Sequence, residues 1–176
     1  MKVLIVGNLG AGKTTVAKAL AAERNWPFLA IDDCRRRVSD GTPAGEVAAW
    51  ATFLRELMVI GPAVVEFSGS GIFAPYVRFM LARTGQSVLV LWLDVPPERC
   101  LDRIRDRVWD IPYPDFGVPL AEVIDDLHAR LVQELGAGTA RWPGPVVRID
   151  GNRTIGQVIE EVSACVNLET SRYLGG

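Results

Sequence analysis

The chain has 176 residues, of which 49% are hydrophobic and 23% charged, and a formal net charge of −2. That is enough apolar side chain for one domain with a substantial core, which excludes wholesale disorder. The slightly acidic balance argues against a protein whose main work is coating nucleic acid, and three scattered cysteines with one histidine offer neither a structural zinc site nor a disulfide framework.

The apolar run KVLIV, residues 2–6, reads as a buried strand, and KTTVAKALAAER, residues 13–24, has the alanine and leucine content of a helix. PFLAI, residues 27–31, is a second strand. Thr42-Pro43 opens a helix, with proline at a tolerated first position and Val47, Ala51, Leu54 and Met58 expected on the inward face. AVVEF (63–67) is a third strand, FAPYVRFMLART (73–84) a helix and SVLVLWL (87–93) a fourth strand. After Pro96-Pro97 a helix turns Leu101, Ile104 and Val108 inward. Residues 119–135 form another helix, with Leu120, Val123, Ile124, Leu127 and Leu131 in the same spacing. PVVRI (145–149) is the fifth strand. Thr154 and Gln157 then fit a capping box ahead of Ile155, Val158, Ile159, Val162 and Val166, and no role attaches to the tail after about Asn167.

Strands without polar alternation, separated by helices, call for a parallel sheet covered on both faces. The expectation is an α/β three-layer sandwich, one domain over residues 1–176. The most apolar later window, LMVIGPAVVEF, is broken by Gly61-Pro62 and carries Glu66, so no membrane span is expected and a cytoplasmic protein is.

GNLGAGKT, residues 7–14, satisfies G-x-x-x-x-G-K-[ST] between a strand and a helix. Glycines let the backbone curl so that the amides from Leu9 through Gly10, Ala11 and Gly12 to Thr15 converge on phosphates at the positive end of the helix. Lys13 then reaches the β- and γ-phosphates, and the Thr14 hydroxyl ligates Mg²⁺. ATP and Mg²⁺ are the expected cofactors.

With this loop in this setting the sequence resembles the P-loop small-molecule kinases: shikimate and gluconate kinases, nucleoside monophosphate kinases and their relatives. The resemblance implies a P-loop NTPase fold with a five-stranded parallel sheet in the order 2-3-1-4-5, a short lid at about residues 107–118, and phosphoryl transfer from ATP to a small acceptor.

In a parallel sheet ligands bind beyond the carboxyl ends of the strands, where IDDCRRR, residues 31–37, follows strand two. Shikimate kinases carry D-x-D at this place, and uridine and nicotinamide riboside kinases carry DDF; this chain has Asp32-Asp33-Cys34. A carboxylate at this edge can take the proton of an attacking hydroxyl or hold a magnesium-bound water. Neighbours on an extended segment point opposite ways, so one of the two faces the acceptor; Asp33 is preferred as the base with Asp32 for the metal water, and which of them is the base stays open. Both would equally serve a turn or a helix cap. Arg36 is a clamp if the acceptor is anionic and a solvated side chain otherwise.

Glu66, inside an apolar strand, reads as a Walker-B-like acid or as half of a buried pair. Gly69-Ser70-Gly71 resembles the glycine-rich acceptor loop of shikimate kinases with serine in the middle, or is a plain turn. The R-x-x-x-R spacing of Arg103 and Arg107 resembles the start of the lid, where cations arriving on closure stabilise transferring charge; paired with nearby aspartates they would be a solvated face. Trp109, Tyr113 and Phe116 either close over an aromatic acceptor or pin the loop. RIDGNRT resembles the adenine-contacting turn after strand five, which brings in Asn152 and Arg153.

The reading is an ATP-dependent kinase acting on a hydroxyl of a small molecule. The alternatives are a nucleoside or nucleotide kinase and a regulatory NTP switch without an acceptor. No zinc, membrane or nucleic-acid partner is expected. ATP against GTP as donor and the oligomeric state are left open.

Overall fold

The computed structural model describes residues 1–105, 110–114, 117–136 and 142–174. Its elements run β1 (Lys2–Gly7), α1 (Lys13–Arg24), β2 (Phe28–Ala30), α2 (Ile31–Val38), α3 (Pro43–Val59), β3 (Ala63–Glu66), α4 (Ala74–Arg83), β4 (Val88–Asp94), α5 (Pro97–Ile104), α6 (Leu120–Leu135), β5 (Val146–Asp150) and α7 (Ile155–Leu174). The five strands form one sheet in the order β2-β3-β1-β4-β5, and every neighbouring pair is parallel. The 2-3-1-4-5 expectation therefore holds.

The central strand explains why both faces need cover. Along β1, Leu4 and Val6 enter one core with Phe53 and Leu57 of α3, Val77 and Leu81 of α4 and Leu131 of α6. Val3 and Ile5 enter the other, with Val16 and Leu20 of α1 and Val158 and Val162 of α7. Alternate side chains point to opposite faces, and here each face meets a helical layer. Among the described residues no helix is long and apolar enough to cross a membrane.

Two expectations are corrected. The segment from Ile31 to Val38 is a helix, so Asp32 and Asp33 sit in a first helical turn and not on a strand extension. Neighbours there are about 100° apart around the axis, and the alternation argument used to separate them fails. The signal for this helix was present: acids occupy its first turn and Arg35, Arg36 and Arg37 its last, complementing the helix dipole. The second correction is the face of α3. Val47 is 56% exposed, while Ala49, Trp50, Phe53 and Leu57 are buried. The sequence is apolar nearly all round this helix, and the bulky aromatic side chains took the core.

Other local expectations stand. Thr154 N–H and hydroxyl both donate to Gln157 Oε1, at 3.2 and 2.9 Å, and Gln157 N–H returns a bond to Thr154 at 3.4 Å, which is the capping box of α7. The helix runs well past Asn167, giving the tail a structural place. Val108 lies outside the described residues.

Candidate active site

The loop between β1 and α1 is shaped by glycine. Gly10 and Gly12 have φ of 76° and 88°, the left-handed region that L side chains rarely adopt. A Cβ on Gly10 would stand 2.4 Å from the Cys100 carbonyl oxygen of α5. Gly10→Ala is therefore expected to cost about 1–3 kcal/mol of stability, read as a lowered unfolding midpoint in urea. An unchanged midpoint would mean the loop relaxes without penalty.

Gly12 is the N-cap of α1 and offers no side-chain cap, so the first amides of the helix face outward unsatisfied by side chains. Asn8, 1% exposed, pins the loop: its Nδ2 donates to the Ile124 carbonyl of α6 at 2.8 Å, and its Oδ1 accepts from Leu9 N–H at 2.8 Å. An unspecified position of the motif gives no sequence signal for that role. Lys13 Nζ donates to the Asn8 carbonyl at 2.8 Å, folded back over the loop.

Across the sheet edge, Glu66 closes β3. It is 5% exposed and accepts the Thr14 hydroxyl at 2.9 Å. Burial pushes its carboxyl above the ordinary range; Lys13 and the Thr14 hydrogen bond oppose the shift, and the charges of Asp32 and Asp33 add to it. Glu66, Asp32 and Asp33 thus feel one another beside the phosphate loop. One hydroxyl backed by carboxylates suits Mg²⁺, which keeps most of its waters. Among the described residues no group of three or more acidic, histidine or cysteine side chains could cage a metal ion by itself. Thr14 would hold the ion, with Glu66 and Asp32 reaching it through water.

A raised folded-state pKa has a stability sign. Glu66 holds its proton to higher pH in the folded chain than in the unfolded one. Its contribution is complete below the unfolded value and is lost as pH rises through the folded one. Glu66→Gln should therefore gain on the wild type in ligand-free thermal midpoint as pH is raised through and above the carboxylate range, while losing magnesium-dependent turnover. A difference in midpoint that does not change with pH would remove Glu66 from the titrating groups.

Beside the phosphate loop, a cavity of about 390 Å³ is lined by Ala11, Gly12 and Thr15 and by Arg103, Gly151 and Arg153. Arg103 spans it, donating to the Gly10 carbonyl at 3.5 Å and the Gly151 carbonyl at 3.2 Å. Arg153 pairs with Asp150 at 3.8 Å and with Glu161. Asn152 Oδ1 accepts from Arg99 at 3.1 Å. Arg107, Trp109 and Phe116 lie outside the described residues.

At the other side of the phosphate loop, the first turn of α2 carries two carboxylates with different surroundings. Asp32 Oδ1 accepts from Arg35 at 2.7 Å and from the Tyr113 hydroxyl at 2.9 Å. Asp33 accepts from Arg36 at 2.8 Å and is 46% exposed, against 27% for Asp32. Arg35, 7% exposed, is also gripped by both Glu46 oxygens, through Nε at 2.8 Å and Nη2 at 2.5 Å, and lies 4.4 Å from the Tyr113 ring centre. Burial would lower its pKa, and the Glu46 bonds more than reverse that. Burial and the Asp32 charge hold the Tyr113 hydroxyl protonated, so it donates. Sequence reading missed Glu46 and Trp50, whose indole donates to Glu46 at 2.7 Å; an acid in a helix's first turn looks like dipole complement and nothing more.

The loop after β3 completes this wall. Gly69 and Gly71 have φ of 93° and 100°. Ser70 is 4% exposed and donates to Glu134 at 3.2 Å, and Glu134 also accepts from Arg78 at 2.9 Å. The hydroxyl of Ser70 is thus spent within the protein.

A family model of shikimate kinases matches residues 9–109, which carry the phosphate loop from Leu9 onward, both aspartates, Glu66 and the glycine loop. The chain belongs to the shikimate kinase family. It is an ATP-dependent phosphotransferase that works with Mg²⁺. A shikimate kinase from Gloeobacter violaceus is 29% identical over 92% of this chain and 90% of its own. One from Cereibacter sphaeroides is 32% identical over 83% of this chain and 80% of its own. The fold is shared with the shikimate kinase from Acinetobacter baumannii in complex with shikimate, at a TM-score of 0.66, 23% identity, and coverage of 97% of this chain and 93% of that one.

Proposed function

We propose that this family member transfers the γ-phosphoryl group of ATP to a hydroxyl of a small polyhydroxylated acceptor held between α2, α3 and the loop at residues 67–73. The carrying observation is the Thr14–Glu66 hydrogen bond of 2.9 Å, beside the phosphate loop, where the charges of Asp32 and Asp33 also act on Glu66. Metal ligand, buried acid and candidate base thereby face one phosphate loop.

In this reading Lys13 and the amides of Leu9 to Thr15 bind the phosphates. Thr14 holds the magnesium, which when bound spreads the charge of the β- and γ-phosphates. Asp33 takes the proton of the acceptor hydroxyl, because its carboxylate has one arginine partner where Asp32 is held by two donors from separate segments. Gly69 and Gly71 let the acceptor approach backbone N–H groups. Arg103 and Arg153 border the nucleobase, Asn152 orients the turn beside it, and Arg107 closes from the lid.

Shikimate leads the acceptor panel because the relatives are named for it. A nucleoside acceptor is the second reading, favoured by the half-buried Phe73 stacked 4.9 Å from Trp50. The test is ADP release with Mg²⁺ across ring polyols, sugars and nucleosides. Stimulation by one of them, abolished in Lys13→Ala, supports the proposal. ATP hydrolysis that no acceptor stimulates would favour a nucleotide switch.

A further inference from the structure

The segment DIPYP, residues 110–114, is fastened onto α2. Prolines flank Tyr113 on both sides, fixing φ at each proline and holding the residue before each extended. Three anchors tie the segment down. Ile111 is buried, the Pro112 carbonyl accepts from Ser39 Oγ at 3.2 Å, and Asp110 pairs with Arg36 at 3.2 Å. Little freedom is left to the Tyr113 side chain. Its ring centre lies 4.4 Å from the Arg35 guanidinium, and its hydroxyl, held protonated, donates to Asp32 Oδ1 at 2.9 Å. Arg35 Nη1 donates to that same oxygen at 2.7 Å, and Arg35 is itself gripped by Glu46. Donors favour the plane of the group they bond to. Two of them on one oxygen, from separate segments, therefore set the rotation of the carboxylate about its Cβ–Cγ bond and with it the direction of Oδ2. The charge of this carboxylate acts on Glu66, the acid that accepts the Thr14 hydroxyl.

We propose that Tyr113 is a positioning residue for phosphoryl transfer: with Arg35 it holds the Asp32 carboxylate by Oδ1 and aims Oδ2 at the groups beside the phosphate loop. The proposal rests on the kinase reading, in which Asp32 meets a magnesium-bound water. Tyr113 acts through Asp32 and not on the reacting atoms. Its two parts have separate work. The ring covers the Arg35 guanidinium, and the hydroxyl orients the acid.

Tyr113→Phe isolates the hydroxyl, because the ring can stay over Arg35. Manganese stands in for magnesium. Its binding to the chain holding a non-hydrolysable ATP analogue, with chain in excess, is read from the fall in the free Mn²⁺ spin-resonance signal. Tyr113→Phe should weaken that binding about tenfold, the lower end of what an outer-shell partner of a metal site is worth. In an Asp32→Asn background the same change should add less than about twofold, because the carboxylate it orients is gone. A hydroxyl that only pins the segment would lower the urea midpoint and leave both Mn²⁺ binding and transfer as in the wild type, which overturns the proposal. Losses that simply multiply in the double variant overturn it too. A loss of about tenfold confined to kcat for transfer to shikimate, and absent in the Asp32→Asn background, supports Tyr113 and moves Asp32 from the metal water to the acceptor hydroxyl. Failure of the kinase reading shows elsewhere, as ADP release that no acceptor stimulates and that Lys13→Ala leaves unchanged.

Discussion

Lys13→Ala should keep its fold and lose phosphoryl transfer by about 10²–10³-fold in kcat, as when one electrostatic donor is removed from a preorganised site. The side chain lies over the loop, and among the described residues it makes its hydrogen bond to the Asn8 carbonyl, so no core packing depends on it. Its loss leaves Glu66 without its largest compensating charge. The ligand-free variant should then shift Glu66 further toward the protonated form and bind Mg²⁺–ATP more weakly. Circular dichroism and the urea midpoint report the fold, and single-turnover transfer reports the chemistry. A folded Lys13→Ala chain with near-normal turnover would contradict a catalytic role for the phosphate loop.

Asp33→Asn should leave ATP binding almost intact and reduce transfer by about 10²-fold or more, the ordinary worth of a general base. The amide keeps the shape and one acceptor oxygen for Arg36 but cannot take a proton. Asp32→Asn should behave differently, and the structure changes the reason. Asp32 joins α2 to Arg35 and to the Tyr113 hydroxyl. Neutralising it weakens two hydrogen bonds, one to a charged donor, and leaves Glu46 as the carboxylate that holds Arg35. The expected outcome is about 1–2 kcal/mol of lost stability, a higher Mg²⁺ requirement and a milder rate loss. Calorimetry with ATP, the urea midpoint and transfer at saturating acceptor separate the two variants. Wild-type transfer in both would place the acceptor base elsewhere. A larger rate loss in Asp32→Asn than in Asp33→Asn would exchange their roles.

The sequence by itself determined the sheet, the phosphate loop and the caps, because each is written in local chemistry. Unbroken apolar runs require burial on both faces, the motif needs glycine where φ is positive, and Thr154 with Gln157 form their capping box within one turn. Arg103 and Arg153 were named only through the resemblance to P-loop kinases, and it is the structure that lines one pocket with them and the phosphate loop. The acceptor side was less legible. Asp32 and Asp33 follow an apolar run and read as its extension, but β2 stops at Ala30 and the chain turns at once into a helix. Only the tertiary structure decided which aspartate is encumbered, since Tyr113 is 81 residues away from Asp32 and Asp110 is 74 from Arg36. It alone decided that Glu46 of α3 holds Arg35 of α2, whose guanidinium also lies 5.8 Å from the Trp50 ring centre. Charges read along a chain carry no distances. Whether an arginine is a clamp for a ligand or a spent partner is a property of the fold.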